Sequence, residues 1–102
     1  MILRVVKMKV DTNKVELFER FMNNLREEKL NLDGCLHFDY FHEKGNLNIY
    51  YSYTIWESDK HFRVYKKSDL FKEVTSTLNA LCQIEPMAWT IENVFNQPSN
   101  EE

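Results

Sequence analysis

Apolar and polar residues alternate in four segments of the chain, and each of these segments predicts a β-strand. The four segments are Ile2–Val10, Cys35–Glu43, Leu47–Trp56 and Met87–Phe95, all rich in β-branched or aromatic residues. The turn-forming sequence Lys44-Gly45-Asn46 separates the two middle segments and predicts that they form a hairpin.

Between the strands, apolar residues recur at the three- and four-residue spacing of an amphipathic helix. Asn13 and Glu16 form a capping-box pattern that predicts the start of a first helix of about four turns. Glu57-Ser58 predicts the start of a short second helix, and Ser68-Asp69 the start of a third, which Glu85-Pro86 ends. The periodic apolar residues are Val15, Phe18, Phe21, Met22 and Leu25 in the first helix, and Phe71, Val74, Leu78 and Leu81 in the third.

The resulting order of elements, β-α-β-β-α-β, predicts a ferredoxin-like α+β domain with a four-stranded antiparallel sheet. Helices would cover one face of this sheet, and Tyr, Trp and Phe side chains would be exposed on the other. An apolar patch of that size marks an interface or a ligand groove, and a second copy related by a two-fold axis would cover it. We therefore expect a homodimer with a cavity between sheet and helices, built from a domain at residues 1–95 and a polar tail at 96–102.

Length, charge and cysteine content narrow the class of protein. The 102 residues suit one domain, and 43% apolar with 28% charged residues are ordinary for a soluble protein. The net charge is −3, and the most basic segment, Lys66-Lys67, is followed by Asp69, so no nucleic acid partner is expected. The longest segment without charge, Asn46–Trp56, is too short to span a membrane. Because no secretory signal is visible and Cys35 and Cys82 are the only cysteines, we expect a cytoplasmic protein.

The end of the third predicted strand begins an ordered set of short motifs. Tyr53–Ser58 (YTIWES) is followed by Phe62 and by Lys67–Phe71 (KSDLF), and Asp33–Cys35 (DGC) precedes them. This set resembles the antibiotic biosynthesis monooxygenase family, in which a strand ends in W-E-S and a helix follows. The helix after that one begins with H-x-x-S-x-x-F, and an earlier turn is P-G-C. The resemblance spans residues 1–95. It implies a dimeric α/β barrel with monooxygenase activity on a small aromatic molecule.

Several positions depart from the patterns of that family. Tyr65 stands where the family usually has His, and Thr54 where many members have Glu. The polyketide-oxygenase branch resembles Trp56–Val64 closely, and of its functional residues the chain retains only the Trp. The functional Asn, Tyr and Arg of that branch align with Ser52, Phe62 and Ser76.

Two other branches of the family give different expectations. The haem-degrading branch uses an Asn, a Trp and a His, which align near Lys7, with Tyr65 and with Thr75. Haem degradation is therefore not expected. The quinol-monooxygenase branch depends less on fixed residues and remains open.

Oxygenation without a cofactor is chemically reasonable in a pocket of aromatic side chains. A deprotonated, electron-rich phenol can itself reduce O₂, so the protein needs to hold it, accept its proton and exclude water. Trp56, Phe62, Ser52 and Trp89 are predicted to bind such a substrate. For Trp56 the alternative is a core residue at a strand end whose indole N–H is bonded to the backbone.

Tyr65 and His61 are the predicted catalytic residues. They are four positions apart on one helix face, where Tyr65 would orient a substrate hydroxyl and His61 would act as general base. The alternative for Tyr65 is a half-buried side chain whose hydroxyl lies in water. His37 and His42 point to opposite faces of their strand, so they do not share a metal ion through it, and most histidines of this kind are surface residues.

No metal and no cofactor are predicted. The sequence has neither C-x-x-C nor H-E-x-x-H, and with Gly34 and Gly45 as its only glycines it has no Gly-rich loop for a nucleotide phosphate. The leading hypothesis is a cofactor-independent monooxygenase that acts on a quinol or a polycyclic phenol. Two alternatives stay open. One is a non-catalytic dimer that binds or senses a small aromatic molecule, and the other is a structural dimer whose pocket is filled by Tyr51, Tyr53 and Trp89.

Overall fold

Within residues 1–93, which the computed structural model describes, the chain folds into four strands and three α-helices. The strands are β1 (Ile2–Lys9), β2 (Cys35–Glu43), β3 (Asn46–Trp56) and β4 (Met87–Glu92). The α-helices are α1 (Val15–Leu30), α2 (Asp59–Lys66) and α3 (Asp69–Leu81), and a short 3₁₀ helix, Thr12–Lys14, precedes α1. The last strand ends at Glu92 and not at the predicted Phe95, which lies outside the described residues together with the predicted tail at 96–102.

Neighbouring strands of the sheet are antiparallel and follow the order β2-β3-β1-β4. β1 therefore lies in the interior of the sheet. One edge of β1 pairs with β3, where Ile2 lies opposite Trp56, and the other edge of β1 pairs with β4. Phe38 of β2 lies opposite Thr54 of β3, which in turn lies opposite Arg4 of β1. This is the ferredoxin-like α+β arrangement that the sequence predicts.

The two faces of the sheet have different surroundings. The helices pack on one face, called the inner face here, and their apolar side chains such as Phe18, Met22 and Leu25 are almost completely buried against it. The opposite, outer face carries large apolar side chains that nothing in residues 1–93 covers, since Phe41 is 53% exposed and Trp89 is 43% exposed. The core and the cavity described below therefore lie on the inner face.

Side-chain caps fix the starts of the helices, and one cap differs from the predicted pattern. Ser58 and Ser68 cap α2 and α3 as predicted, because each hydroxyl accepts a bond from the backbone N–H three residues later. The capping box predicted at Asn13 is wrong. The carboxylate of Asp11 accepts a bond from the backbone N–H of Asn13 at 3.0 Å. This bond closes the 3₁₀ turn, so that α1 begins only at Val15.

The turn between α1 and β2 requires glycine. Gly34 has a φ of +83°, in the left-handed region that favours glycine. The side chain of His61 packs against it, and a Cβ at Gly34 would lie only 2.2 Å from the Cγ of His61. The backbone N–H of Glu57 also donates to the carbonyl of Gly34 at 2.8 Å. These contacts hold the start of α2 against the turn and so fix the position of α2 over the sheet.

Candidate functional site

A cavity of about 210 Å³ lies between the inner face of the sheet and the three α-helices. It occupies the position that the sequence predicts for a pocket. Its aromatic wall consists of Phe38, Trp56, Phe62, Tyr65 and Phe71. Its polar lining consists of Arg4, Lys29, Ser52, Thr54, Thr75, Asn79 and Glu85.

Trp56 lies at the centre of the aromatic wall. Its side chain is stacked on Tyr65, with ring centroids 5.1 Å apart and planes inclined by 30°. The Phe62 ring lies 6.2 Å from Trp56, and Phe71 meets Tyr65 edge to face at 5.4 Å. Trp56 is 1% exposed, and its indole N–H has no hydrogen-bond partner within residues 1–93, in contrast to the backbone bond expected of a core Trp. These rings form an aromatic surface of the kind that binds planar ligands.

Four of the residues predicted as site residues line this cavity together: Ser52, Trp56, Phe62 and Tyr65. Ser52 and Trp56 share a face of β3 because even spacings along a strand point to the same side. Phe62 and Tyr65 are three positions apart on α2, so they point in a similar direction. The structure thus brings the predicted aromatic residues of β3 and α2 to one space.

The structure does not bring His61 or Trp89 to the cavity. His61 belongs to the first turn of α2, which faces the turn before β2. Its Nδ1 lies 2.7 Å from Oγ of Ser58, and its Nε2 lies 3.6 Å from Oδ2 of Asp33. Trp89 lies on the outer face because its neighbour Ala88 lines the cavity, and adjacent strand residues point to opposite faces.

Lys29 is a cavity residue that the sequence interpretation missed. Its side chain is only 7% exposed, and its Nζ donates a hydrogen bond of 2.9 Å to Oγ1 of Thr54. The same nitrogen lies 4.5 Å from the ring centroid of Phe38 and 5.0 Å from that of Tyr65. Burial lowers the pKa of Lys29 from the ordinary 10.5 to about 8, because desolvation disfavours the charged form.

A second cation, Arg4, also lines the cavity. Its Nη1 donates to Oγ1 of Thr90 at 2.9 Å, and its guanidinium carbon lies 5.1 Å from the ring centroid of Phe62. Burial lowers the pKa of Arg4, but an arginine side chain still remains protonated at neutral pH. Burial raises the pKa of Tyr65 to about 12, so that its phenol is a hydrogen-bond donor at neutral pH.

The sequence pattern places both Lys29 and Arg4 at core-facing positions. Phe18, Met22 and Leu25 follow a spacing of four and three residues, and Lys29 takes the next position of the same stripe. Arg4 likewise lies in the alternating set of β1 that is otherwise apolar. A charged residue in a core-facing periodic position predicts either a paired buried charge or a binding site.

Within residues 1–93, no group of three or more His, Cys, Asp or Glu side chains is placed to hold a metal ion. No helix in this part of the chain combines the length and the apolar character needed to cross a membrane. Both cysteines are free thiols, with Cys35 buried and Cys82 half-buried.

The fold and the site define a class of protein, a ferredoxin-like α+β domain with an aromatic cavity between sheet and helices. Solved structures of this class align closely with the chain. A conserved protein from Methanosarcina mazei Go1 is 26% identical, with a TM-score of 0.83 over 91% of this chain and 93% of its own. A candidate antibiotic biosynthesis monooxygenase from Nitrosomonas europaea is 16% identical, with a TM-score of 0.82 over 92% of this chain and 99% of its own.

A sequence model described as antibiotic biosynthesis monooxygenase matches residues 1–76. This chain therefore belongs to the antibiotic biosynthesis monooxygenase family, as its motifs around Trp56 indicate. A search of curated proteins gives no match.

Proposed function

We propose that this protein is a cofactor-independent monooxygenase that oxidises a small aromatic hydroxy compound, a quinol or a polycyclic phenol, in the cavity. The observation that supports the proposal most directly is the aromatic wall of Trp56, Phe62 and Tyr65 around a space of about 210 Å³. Membership of the family supports the monooxygenase class. The aromatic substrate is supported by the cavity wall itself, because stacked rings favour planar ligands.

In the proposed reaction, the substrate supplies the electrons that reduce O₂. Loss of a proton from a phenol, or from its keto tautomer, to bulk solvent gives an electron-rich anion that transfers electrons to O₂, and protons are taken up again when the reduced oxygen leaves as water. For an anthrone-like CH₂ group, the balance is CH₂ + O₂ → C=O + H₂O. One oxygen atom enters the product, the other leaves as water, and the substrate carbon is oxidised as O₂ is reduced. The protein holds the ring, stabilises the anion and excludes water.

The cavity residues divide these tasks. Trp56 and Phe62 would hold the aromatic ring by stacking, and the hydroxyl of Ser52 would hydrogen-bond to a substrate oxygen. Tyr65 would orient the substrate as a donor, because burial raises its pKa to about 12 and keeps its proton in place at neutral pH. The base role predicted for His61 is not part of this proposal, since its imidazole lies with Ser58 and Asp33 outside the cavity.

A second candidate function is non-catalytic binding of a small aromatic molecule. The observation that favours it is the absence of the predicted base, His61, from the cavity lining. The third possibility, a structural dimer with a filled pocket, is disfavoured. The cavity is open, and Tyr51, Tyr53 and Trp89, the residues predicted to fill it, are not among those that line it.

We also infer that the outer face packs against a second copy of the chain. The ring of Tyr53 lies between two others on this face, with His37 stacked at 5.1 Å and Phe41 at 5.8 Å. Soluble monomers rarely expose a contiguous apolar patch of this kind, and a two-fold axis makes one patch complementary to itself. A cytoplasmic location is likewise proposed, and the free thiols of Cys35 and Cys82 support it.

The test is oxygen uptake by the purified protein without added cofactor, with a panel of hydroquinones and anthrone-like phenols. We expect uptake above the uncatalysed rate, and a loss of about tenfold or more in Trp56→Phe because the ring is then held less well. Uptake that survives Trp56→Phe but is lost in Trp89→Phe would place the reaction on the outer face and contradict the proposal. Saturable binding of these compounds without uptake would establish the non-catalytic function instead.

A further inference from the structure

Lys29 and Arg4 place two positive charges in the lining of the cavity. No ion pair within residues 1–93 includes either side chain. Lys29 is 7% exposed, so its ammonium group has lost most of its hydration. A buried cation without a carboxylate is unfavourable for the folded state. An anion brought by a ligand would relieve this cost.

The ammonium group of Lys29 has capacity for a further acceptor. It carries three N–H donors, and Oγ1 of Thr54 at 2.9 Å is its one hydrogen-bond acceptor within residues 1–93. Its other neighbours are the rings of Phe38 and Tyr65, which offer only their π faces. Buried polar groups are generally hydrogen-bonded, so unused donors that border a cavity indicate an acceptor from outside the protein, such as a polar ligand group or water.

Arg4 adds a second positive charge on the same side of the sheet. It lies opposite Thr54 in the β1–β3 register, and Thr54 accepts the bond from Lys29. Both cations line the cavity whose aromatic wall includes Trp56 and Tyr65. Cationic donors and stacked rings are thus combined in one space, and together they match a planar ring that carries an oxyanion.

We propose that the cavity binds its aromatic ligand as an anion, and that the oxyanion accepts hydrogen bonds from Lys29 while Arg4 contributes to the balance of charge. The ligand class is a planar aromatic phenolate, enolate or carboxylate. This inference takes only the location of the site from the proposed function and holds equally for a non-catalytic ligand. In the catalytic case, Lys29 would stabilise the deprotonated substrate that reduces O₂.

The charged and titratable groups around Lys29 determine how binding depends on pH. Arg4 remains protonated, and burial raises the pKa of both Cys35 and Tyr65, so these two are neutral near pH 7. Glu85, an exposed residue, is the carboxylate that lines the cavity. Lys29, with a pKa of about 8, is therefore the group whose charge changes first as the pH rises above neutrality.

The test is a comparison of two ligands of equal shape, 2-naphthoate and 2-naphthamide, by calorimetric titration at pH 7. We expect the anionic naphthoate to bind about tenfold or more tightly than the neutral amide, because charge-assisted hydrogen bonds are the stronger. Lys29→Met should remove this preference, and Lys29→Arg should restore part of it. Arg26→Met is the matched control, since it removes an exposed positive charge from the same helix.

A pH series adds a readout that a merely structural role of Lys29 would not produce. Naphthoate remains ionised throughout the neutral and alkaline range, so its affinity reports the charge of the protein. The affinity of the unaltered protein should fall as the pH is raised above about 8, and that of Lys29→Met should not change there. Equal affinity for both ligands, or a preference that survives Lys29→Met, would overturn the proposal.

The outcomes also separate this inference from the proposed function. Preferential binding of naphthoate without oxygen uptake by any phenol would leave the anion site in place and overturn the monooxygenase. Oxygen uptake that Lys29→Met leaves unchanged, with no preference for naphthoate, would overturn the anion site alone. If neither ligand binds and no phenol of the panel is oxidised, both proposals are wrong.

Discussion

Lys29 and Thr54, which both line the cavity, are joined by a hydrogen bond of 2.9 Å between an ammonium nitrogen and a hydroxyl oxygen. This bond connects the end of α1 to the middle of the sheet. It is also a cost to the fold, because a neutral hydroxyl offsets little of the hydration that a buried ammonium group loses. The stability of the protein should therefore depend on the charge of Lys29.

Replacing Lys29 by Met should stabilise the protein at neutral pH. The folded state has a pKa of about 8 for Lys29 against an ordinary 10.5, so protonated Lys29 opposes folding by about 3 kcal/mol or less. This opposition is complete below pH 8 and disappears as the pH approaches the unfolded-state value. In urea denaturation, the gain in Lys29→Met should therefore be largest near pH 7 and shrink as the pH rises, while Arg26→Met shows no gain. A destabilised Lys29→Met at pH 7 would contradict this account of the buried charge.

The two glycines provide a matched pair of substitutions. Gly34 and Gly45 both have positive φ, at +83° and +86°, so alanine at either position carries a backbone cost of about 1 kcal/mol. At Gly45 a new Cβ meets no atom within 4 Å, whereas at Gly34 it meets the ring of His61. We expect Gly34→Ala to lower the free energy of unfolding by about 2–4 kcal/mol and Gly45→Ala by about 1. Equal losses in thermal denaturation would show that His61 moves away freely.

Substitution on the outer face should change the oligomeric state. Trp89 is 43% exposed there, and Trp89→Glu would place a charge in the proposed interface, where an unpaired charge is unfavourable. Sedimentation velocity should show a dimer for the unaltered protein and a monomer for Trp89→Glu. Val64→Glu is the control, because Val64 is also an exposed apolar residue, at 65%, but belongs to α2. A dimer that persists in Trp89→Glu would exclude this part of the outer face as the interface.

The two tryptophans should report on different parts of the molecule. Trp56 is 1% exposed in the cavity wall and Trp89 is 43% exposed on the opposite face of the sheet. In Trp89→Phe the remaining fluorescence comes from Trp56, and we expect it to resist acrylamide but to be quenched by an aromatic ligand. Quenching by the ligand that is lost in Trp89→Phe would locate the ligand on the outer face.

The order and type of the main elements follow from the sequence because hydrophobic periodicity and Ser caps act locally. The caps at Ser58 and Ser68 each depend on a hydroxyl and an N–H three residues away. The start of α1 was predicted less well, because Asp11 and Asn13 both suit a cap. In the structure, the carboxylate of Asp11 accepts a hydrogen bond from the backbone N–H of Asn13. The sequence pattern alone does not show which of the two residues acts as the cap.

The site was predicted only in part, since its residues meet through long-range packing. Trp56 and Tyr65 lie on different elements, and their spacing of nine residues brings them to one space only if α2 turns back over the sheet. His61 shares a helix side with Tyr65, but it belongs to the first turn of α2 and contacts the turn at Gly34. Lys29 was missed because a lysine on an amphipathic helix is ordinarily assigned to the solvent face.

The interior position of β1 has a consequence for synthesis on the ribosome. Lys9 pairs with Ile49 of β3, and Ile2 pairs with Glu92 of β4. β1 is therefore synthesised well before either of the strands with which it pairs. The β2–β3 hairpin, whose contacts are local, can form while α2, α3 and β4 are still being translated. Until β1 joins it, the hairpin exposes the edge of β3 to other chains. Several ribosomes translate one messenger RNA at the same time, so nascent chains lie close together. The risk that the β3 edges of two such chains pair with each other is therefore greatest before β1 has paired with β3.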